Sequence, residues 1–261
     1  MHVVRVVLAF LRVAVLNELQ YRANFVLQLI QSLLALGTGL VILALVFDQV
    51  TDLNGWTHPQ ILAVMGVHVM MGGLIQMVIQ PNVLQFMADI EEGTFDYVLT
   101  RPIDAQLLVS IRSFRIWQAT DVLVGAVVLL IAVTRLGHAV EPAAAVLFAA
   151  SFIVGWAMLY SVWLILATTA FWFVHVDQIV DLLNGFYQAG RWPVGIYPGW
   201  LRHGLTFLVP LAYAVTLPAE VLTSKVSAGA LAGAAAFAAV LVAFARWFWR
   251  AGLRRYASAS S

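Results

Sequence analysis

Residues 91–104 read EEGTFDYVLTRPID. Glu91, Glu92, Asp96, Arg101 and Asp104 fall in this stretch, five of the chain's 27 formal charges (14 Lys and Arg plus 13 Asp and Glu), and Asp89 stands just before it. Long apolar runs flank it on both sides, in a chain where only 10% of residues are charged. Such a concentration marks a segment that lies in water between two elements that do not.

Composition says what the flanks are. Hydrophobic residues make up 62% of the 261, against about 45–50% in soluble domains, and the mean hydropathy is +0.92. A soluble globule needs a polar coat that this composition does not supply. The chain therefore reads as an all-α polytopic membrane protein forming one transmembrane domain, whose spans are stretches of about 20 apolar residues.

Residues 23–47 form the first such span, and 60–80 the second, which Pro81 is expected to close. The charged insert occupies 87–115, and 116–134 is a third, short span carrying Asp121. Residues 142–172 form the fourth, in a charge-free run long enough to protrude, tilt or break. The last span is 226–245, followed by an aromatic belt and four arginines. Residues 1–22 carry Arg5 and Arg12 within an apolar run and read as a retained helix at the membrane surface, its arginines snorkelling to the headgroups.

Basic residues fix the crossing number, because cytosolic borders are enriched in Arg and Lys. The N-terminal helix, the insert and the tail hold ten of the 14 basic residues. Both termini are then cytosolic and the number of spans is even. One more crossing must lie at 176–192, giving six. The turn before it, around His175, has no Arg or Lys to anchor it. Residues 193–225 hold four of the eight prolines among apolar runs too short to cross, which reads as outer-leaflet re-entrant helices or as an external loop with surface helices.

Three polar rows interrupt the spans. In the fifth, Asp177, Asp181, Asn184, Gln188 and Arg191 share one helix face, either lining a translocation path or meeting headgroups. In the first, Asn24, Gln28, Gln31 and Thr38 suit helix packing or a subunit seam. In the second, His68, Gly72 and Gln76 form a row whose His reads as a packed residue. Asp121 reads as an interfacial carboxylate. Gly229 and Gly233 make one GxxxG in the last span.

Several chemistries are excluded by what is missing. With no cysteine there are no disulfides, thiolate metal sites or Cys nucleophiles. There is no GxxxxGK[ST], HExxH or GxSxG, and no cluster at metal-ligand spacing. The chain itself is expected to be neither an enzyme nor a metalloprotein. Its net charge of +1 gives no electrostatic case for nucleic acid.

Two stretches carry a family resemblance. EEGTFDYVLTRPI (91–103) resembles the cytosolic segment after the second span in a poorly characterised subgroup of permeases. YPGWLRHGLTFLVPLAYAVTLPAE (197–220) is similar to the passage before the last span in the wider family, the membrane subunits of type 2 ABC exporters. The resemblance implies a dimer of permeases, the same or related, in the bacterial cytoplasmic membrane. Each would touch a separate ATPase subunit that binds ATP and Mg²⁺, and transport would run outward. Glu91, Glu92, Gly93, Thr94, Asp96, Tyr97, Arg101 and Pro102 would form the coupling segment, with Pro102 able to start a helix. Pro198, Trp200, Pro210 and Tyr213 would belong to the re-entrant pieces. Asn24, Gln28, Gln31, Asp181, Asn184 and Gln188 would line the path or seam. A membrane scaffold, or a channel without ATP coupling, is the other class of reading.

Overall fold

In the computed structural model, residues 2–18, 22–137, 140–173, 177–223 and 226–259 are described, the side chains of 2–4, 17–18, 22–23, 177–179 and 257–259 excepted. All the regular elements among them are helices: α1 (His2–Glu18), α2 (Arg22–Gln49), α3 (His58–Glu91), α4 (Asp96–Leu99), α5 (Ala105–Ile111), α6 (Ile116–Arg135), α7 (Pro142–Phe171), α8 (Asp177–Ala189), α9 (Gly199–Leu208), α10 (Ala212–Leu222) and α11 (Ala228–Ala259). Five of them, α2, α3, α6, α7 and α11, are long and apolar enough to cross a bilayer.

The second span does not close at Pro81. Helix α3 runs straight through it for 34 residues, about 50 Å. Proline removes the N–H that would bond four residues back, which leaves the Met77 carbonyl without its helical partner. A π-helical turn at Ile75–Ile79 absorbs the irregularity, and the backbone N–H of Arg115 donates to Met77 O at 3.0 Å. The lower third of α3 thus projects past the apolar layer and carries the charged insert.

Contacts give the spans alternating directions. At one face, Trp249 of α11 packs against Phe86 of α3 and Phe171 of α7. Phe10 of α1 lies with the insert at the same face, which we call the terminal face. At the opposite face the α2–α3 loop meets residues after α8, Asn54 Nδ2 donating to Gly195 O at 2.9 Å. Between these two faces, from Phe171 to Gly195, the chain holds a 13-residue helix, about 20 Å long, extended by the turns at 190–196, and not one continuous helix over 176–192. The turn at 174–176 lies outside the described residues.

Helices α9 and α10 form a pair bent by 77° around Pro210. Both outer ends line one pocket at the opposite face with Trp56 and Ala230. The bend reaches inward: Leu211, Ala214, Val215 and Ala219 are fully buried. Gly155 lies so near the chain there that a Cβ on it would stand 2.5 Å from Ala214 Cα. Gly155 is about 20 Å along α7 from its outer end, so the bend lies deep against α7, shielded by protein as irregular backbone at depth must be.

Helices α3 and α6 make the closest pairing. A Cβ on Gly125 would lie 2.5 Å from Met70 N, and one on Gly66 would lie 2.7 Å from Leu129 N. With Gly73, whose Cβ would lie 2.8 Å from Val122 N, these glycines let the backbones touch. The GxxxG of α11 does nothing comparable among the described residues, where nothing lies within 4 Å of a Cβ on Gly233 and Ser227 Oγ, at 3.9 Å, is what nears one on Gly229.

Candidate functional site: a polar intramembrane cavity and a wired insert

Helices α2, α3, α6 and α8 enclose a half-open cavity of about 370 Å³ that reaches from the terminal-face turns of α2 and α6 to the middle of α3. Gln28, Gln31 and Ser32 come from α2, and His68, Gly72 and Gln76 from α3. Gln118 and Asp121 come from α6, and Tyr187 and Gln188 from α8, with Arg191 just beyond it. Each of the three rows seen in sequence contributes. Asn24, Thr38, Asp181 and Asn184 do not reach the cavity, and the side chain of Asp177 lies outside the described residues. Asn24 and Asp181 instead face outward.

Within the cavity the amides cross-link charged groups to neutral ones. Gln28 Nε2 donates to both Gln118 Oε1 and Asp121 Oδ2, at 3.2 Å each. Arg191 Nη2 donates to Gln188 Oε1 at 3.3 Å. Tyr187 donates its hydroxyl to His68 O at 2.5 Å and stacks on the His68 ring at 4.5 Å. Gly72 makes room for it: a Cβ there would sit 3.1 Å from the Tyr187 ring. His68 Nδ1 and Ser32 Oγ are buried without a hydrogen-bond partner among the described residues.

The second region is the insert. Gly93 turns the chain at φ 69°, a left-handed conformation that glycine adopts readily, and the N–H groups of Thr94 and Phe95 both donate to Asp89 O. Glu91, Glu92, Gly93, Asp96, Arg101 and Pro102 are exposed, Thr94 is half-buried, and Tyr97 is 74% exposed. Two residues before Tyr97, Phe95 is wholly buried among Phe86, Phe171 and Tyr256, with ring centroids 5.3 to 5.7 Å away. Pro102 does not start a helix. It lies in a bend, and Asp104 caps α5 instead by accepting Leu107 N–H at 3.1 Å.

Side chains tie the insert to three spans. Asp89 at the end of α3 pairs with Arg112 and accepts from Gln85. Asn82 Oδ1 accepts the N–H of Arg112 and Ser113 at 3.0 and 2.9 Å, while its Nδ2 donates to Val78 O and Ser113 O. Gln106 and Ser110 of α5 bond Tyr160 of α7. Arg246 of α11 bonds Gln106 and forms a two-pronged ion pair with Asp104, which holds that carboxyl below the usual carboxylate range.

Comparison with known families agrees with this architecture. Residues 33–260 match the family model described as "ABC-2 family transporter protein". The chain belongs to the ABC-2 transporter family. It is a multi-pass membrane protein and the membrane domain of a transport system. No curated protein and no solved structure matches it. In this ABC-2 protein α1 and the cavity residues Gln28, Gln31 and Ser32 precede the matched range.

Pro198 and Trp200 are exposed at the opposite face, Trp200 by 78%, as suits an aromatic at a membrane border. Pro210 is buried at the bend, and Tyr213 packs on Phe237 of α11 at 5.7 Å. Sequence reading passed over Ser32, Gln118 and Tyr187 in the cavity, and Phe95, Asn82 and Arg246 around the insert. The first two had a signal: Ser32 continues the Gln28 row by four residues, and Gln118 stands three before Asp121.

Proposed function

We propose that this chain is the permease subunit of an ATP-driven exporter, coupled through residues 91–104 to a separate ABC ATPase that binds ATP and Mg²⁺. One observation carries the reading. The insert offers an exposed surface, centred on Tyr97 between Asp96 and Arg101, while Phe95 on its other side is locked among α3, α7 and α11. A push on the surface would reach three spans at once, since packed helices shift as bodies. The acidic and basic groups around Tyr97 suit docking in one register.

Two such chains would form the path. Asn24 and Gln31 on α2 and Asp181 and Gln188 on α8 are exposed at membrane depth, where a polar or charged group facing lipid is expensive. A second permease, the same or related, would cover them. Both termini would then be cytosolic, at a bacterial cytoplasmic membrane, because the terminal face holds the arginine-rich insert and tail.

The test is charge reversal at Asp96 or Arg101 in proteoliposomes containing the ATPase. ATP hydrolysis should continue while transport falls at least tenfold, with insertion unchanged. Normal transport by both variants would remove the coupling assignment. An ATPase rate indifferent to this subunit would favour a membrane scaffold or a channel.

A further inference from the structure

The cavity contains more polar capacity than the chain itself uses. Ser32 Oγ and His68 Nδ1 belong to residues that line it and are only 8% and 5% exposed, and both atoms are buried with no hydrogen-bond partner among the described residues. A buried polar atom left unpaired costs about 1–3 kcal/mol, so two such atoms in one cavity mark a place for a polar guest.

The lining limits the guest's chemistry. Five glutamines, Gln28, Gln31, Gln76, Gln118 and Gln188, supply side chains that both donate and accept. The formal charges are one Asp121 and one Arg191, which form no ion pair with each other among the described residues. A multivalent anion would meet a single arginine and be opposed by Asp121, and a cation would be opposed by Arg191. Hydroxyl groups, which also donate and accept, match the amides, the serine and the imidazole.

Size and setting limit it further. A volume of about 370 Å³ sits at the lower end of ligand pockets, about 300–1,000 Å³, enough for a sugar-sized group and too small for a folded chain. Ala35, Leu36, Met65 and Val69 form its apolar side, and Leu33 and Leu34 beside it are 52% and 66% exposed on α2. A hydrocarbon tail could leave the cavity along that face into the membrane.

We propose that this cavity receives the net-neutral, hydroxyl-rich head group of an amphiphile, with Ser32 and His68 among the groups that bind it. The inference deepens the permease reading and rests on it for its meaning as substrate recognition. Its test needs neither ATPase nor transport, so the two can fail separately.

The full chain in mild detergent is mixed with monoglucosyl dioleoylglycerol, dioleoylglycerol, phosphatidylglycerol or phosphatidylcholine, and retained lipid is counted by native mass spectrometry. The glucosyl lipid should be retained at least tenfold better than the other three. Ser32→Ala, and His68→Phe, which keeps a ring on Tyr187, should each weaken retention about tenfold, and His68→Asn should restore part of it. Trp200→Ala at the opposite face should change nothing. Thermal melting identifies any variant that has lost its fold, and Ser32→Ala alone suffices for the decision. Preference for phosphatidylglycerol or phosphatidylcholine would overturn the neutral, hydroxyl-rich assignment. Equal retention of dioleoylglycerol, or no effect of Ser32→Ala, would overturn the site. If labelled methyl β-glucoside binds as tightly as the glucosyl lipid, the guest is a free sugar and the amphiphile is wrong.

Discussion

Pro81 removes one N–H from the middle of a long helix, the Arg115 N–H satisfies the freed Met77 carbonyl, and Asn82 anchors the segment that leads to it. Its side chain satisfies Val78 O, Ser113 O and two N–H groups of the returning segment. Asn82→Ala would strand several buried polar groups at about 1–3 kcal/mol each. We expect it to destabilise the protein by about 3 kcal/mol in denaturant unfolding and to make residues 112–115 exchange amide hydrogens faster. Phe95→Ala should cost about 3–5 kcal/mol, the usual loss for a buried aromatic. The Asp104–Arg246 pair gives a pH-dependent prediction. Its carboxyl is depressed by the Arg246 hydrogen bonds, so its contribution is present above the ordinary carboxylate range and is lost as pH falls through the depressed value. The pair is partly exposed, which limits it to at most about 1 kcal/mol. Asp104→Asn should lower the melting midpoint slightly at pH 7, and the difference should close at strongly acid pH. At this scale the sequence was partly legible. Polar residues at spacings of three and four stand out in apolar runs, which found Gln28, His68 and Gln188. Tyr187 did not stand out, because a tyrosine on an apolar face looks like core until its hydroxyl has a partner.

Helices α3 and α6 approach through three glycines, Gly66, Gly73 and Gly125, and α11 approaches α7 through Gly252 and not through its GxxxG. Gly125→Leu would drive a side chain into Met70 and the α3 backbone and should abolish the monodisperse folded fraction in size-exclusion chromatography. Gly233→Leu, in the GxxxG of α11, meets open space among the described residues and should leave that fraction intact. The contrast shows why small residues mislead when read alone: a GxxxG reports a permitted approach, and rotation of the helix decides whether a neighbour takes it. The spans themselves were legible, because continuous apolar length is hard to disguise. Their ends were not. Pro81 reads as a stop only when the helix must satisfy Met77 O by itself, and here Arg115, 38 positions from Met77, satisfies it. The fifth crossing was short in sequence and is shorter as a helix, because turns after α8 complete the passage to Gly195. The proline-rich passage was legible as broken, because its hydrophobic pieces are each too short to cross, and the bend around Pro210 joins two of them.

As a whole, the molecule joins a polar cavity between α2, α3, α6 and α8 to an insert that grips α3, α7 and α11. Helix α3 belongs to both, with His68 and Gly72 at the cavity and Asn82, Phe86 and Asp89 at the insert. That shared helix is the route by which an event at Tyr97 would reach the cavity. The membrane class and the family were legible from composition and two motifs. The convergence of three polar rows was not, since it depends on how four helices face one another. The central claim is that residues 91–104 dock a separate ABC ATPase. Its most direct test is gentle purification of the tagged chain from its host, with mass spectrometry of what accompanies it. A parallel preparation scrambles Glu91, Glu92, Asp96, Tyr97, Arg101 and Pro102 and leaves Phe95 in place. The account predicts an ABC ATPase with the natural chain and its loss from the scrambled one, both folded and inserted. Recovery of the natural chain alone, or of the same ATPase with both chains, would contradict it.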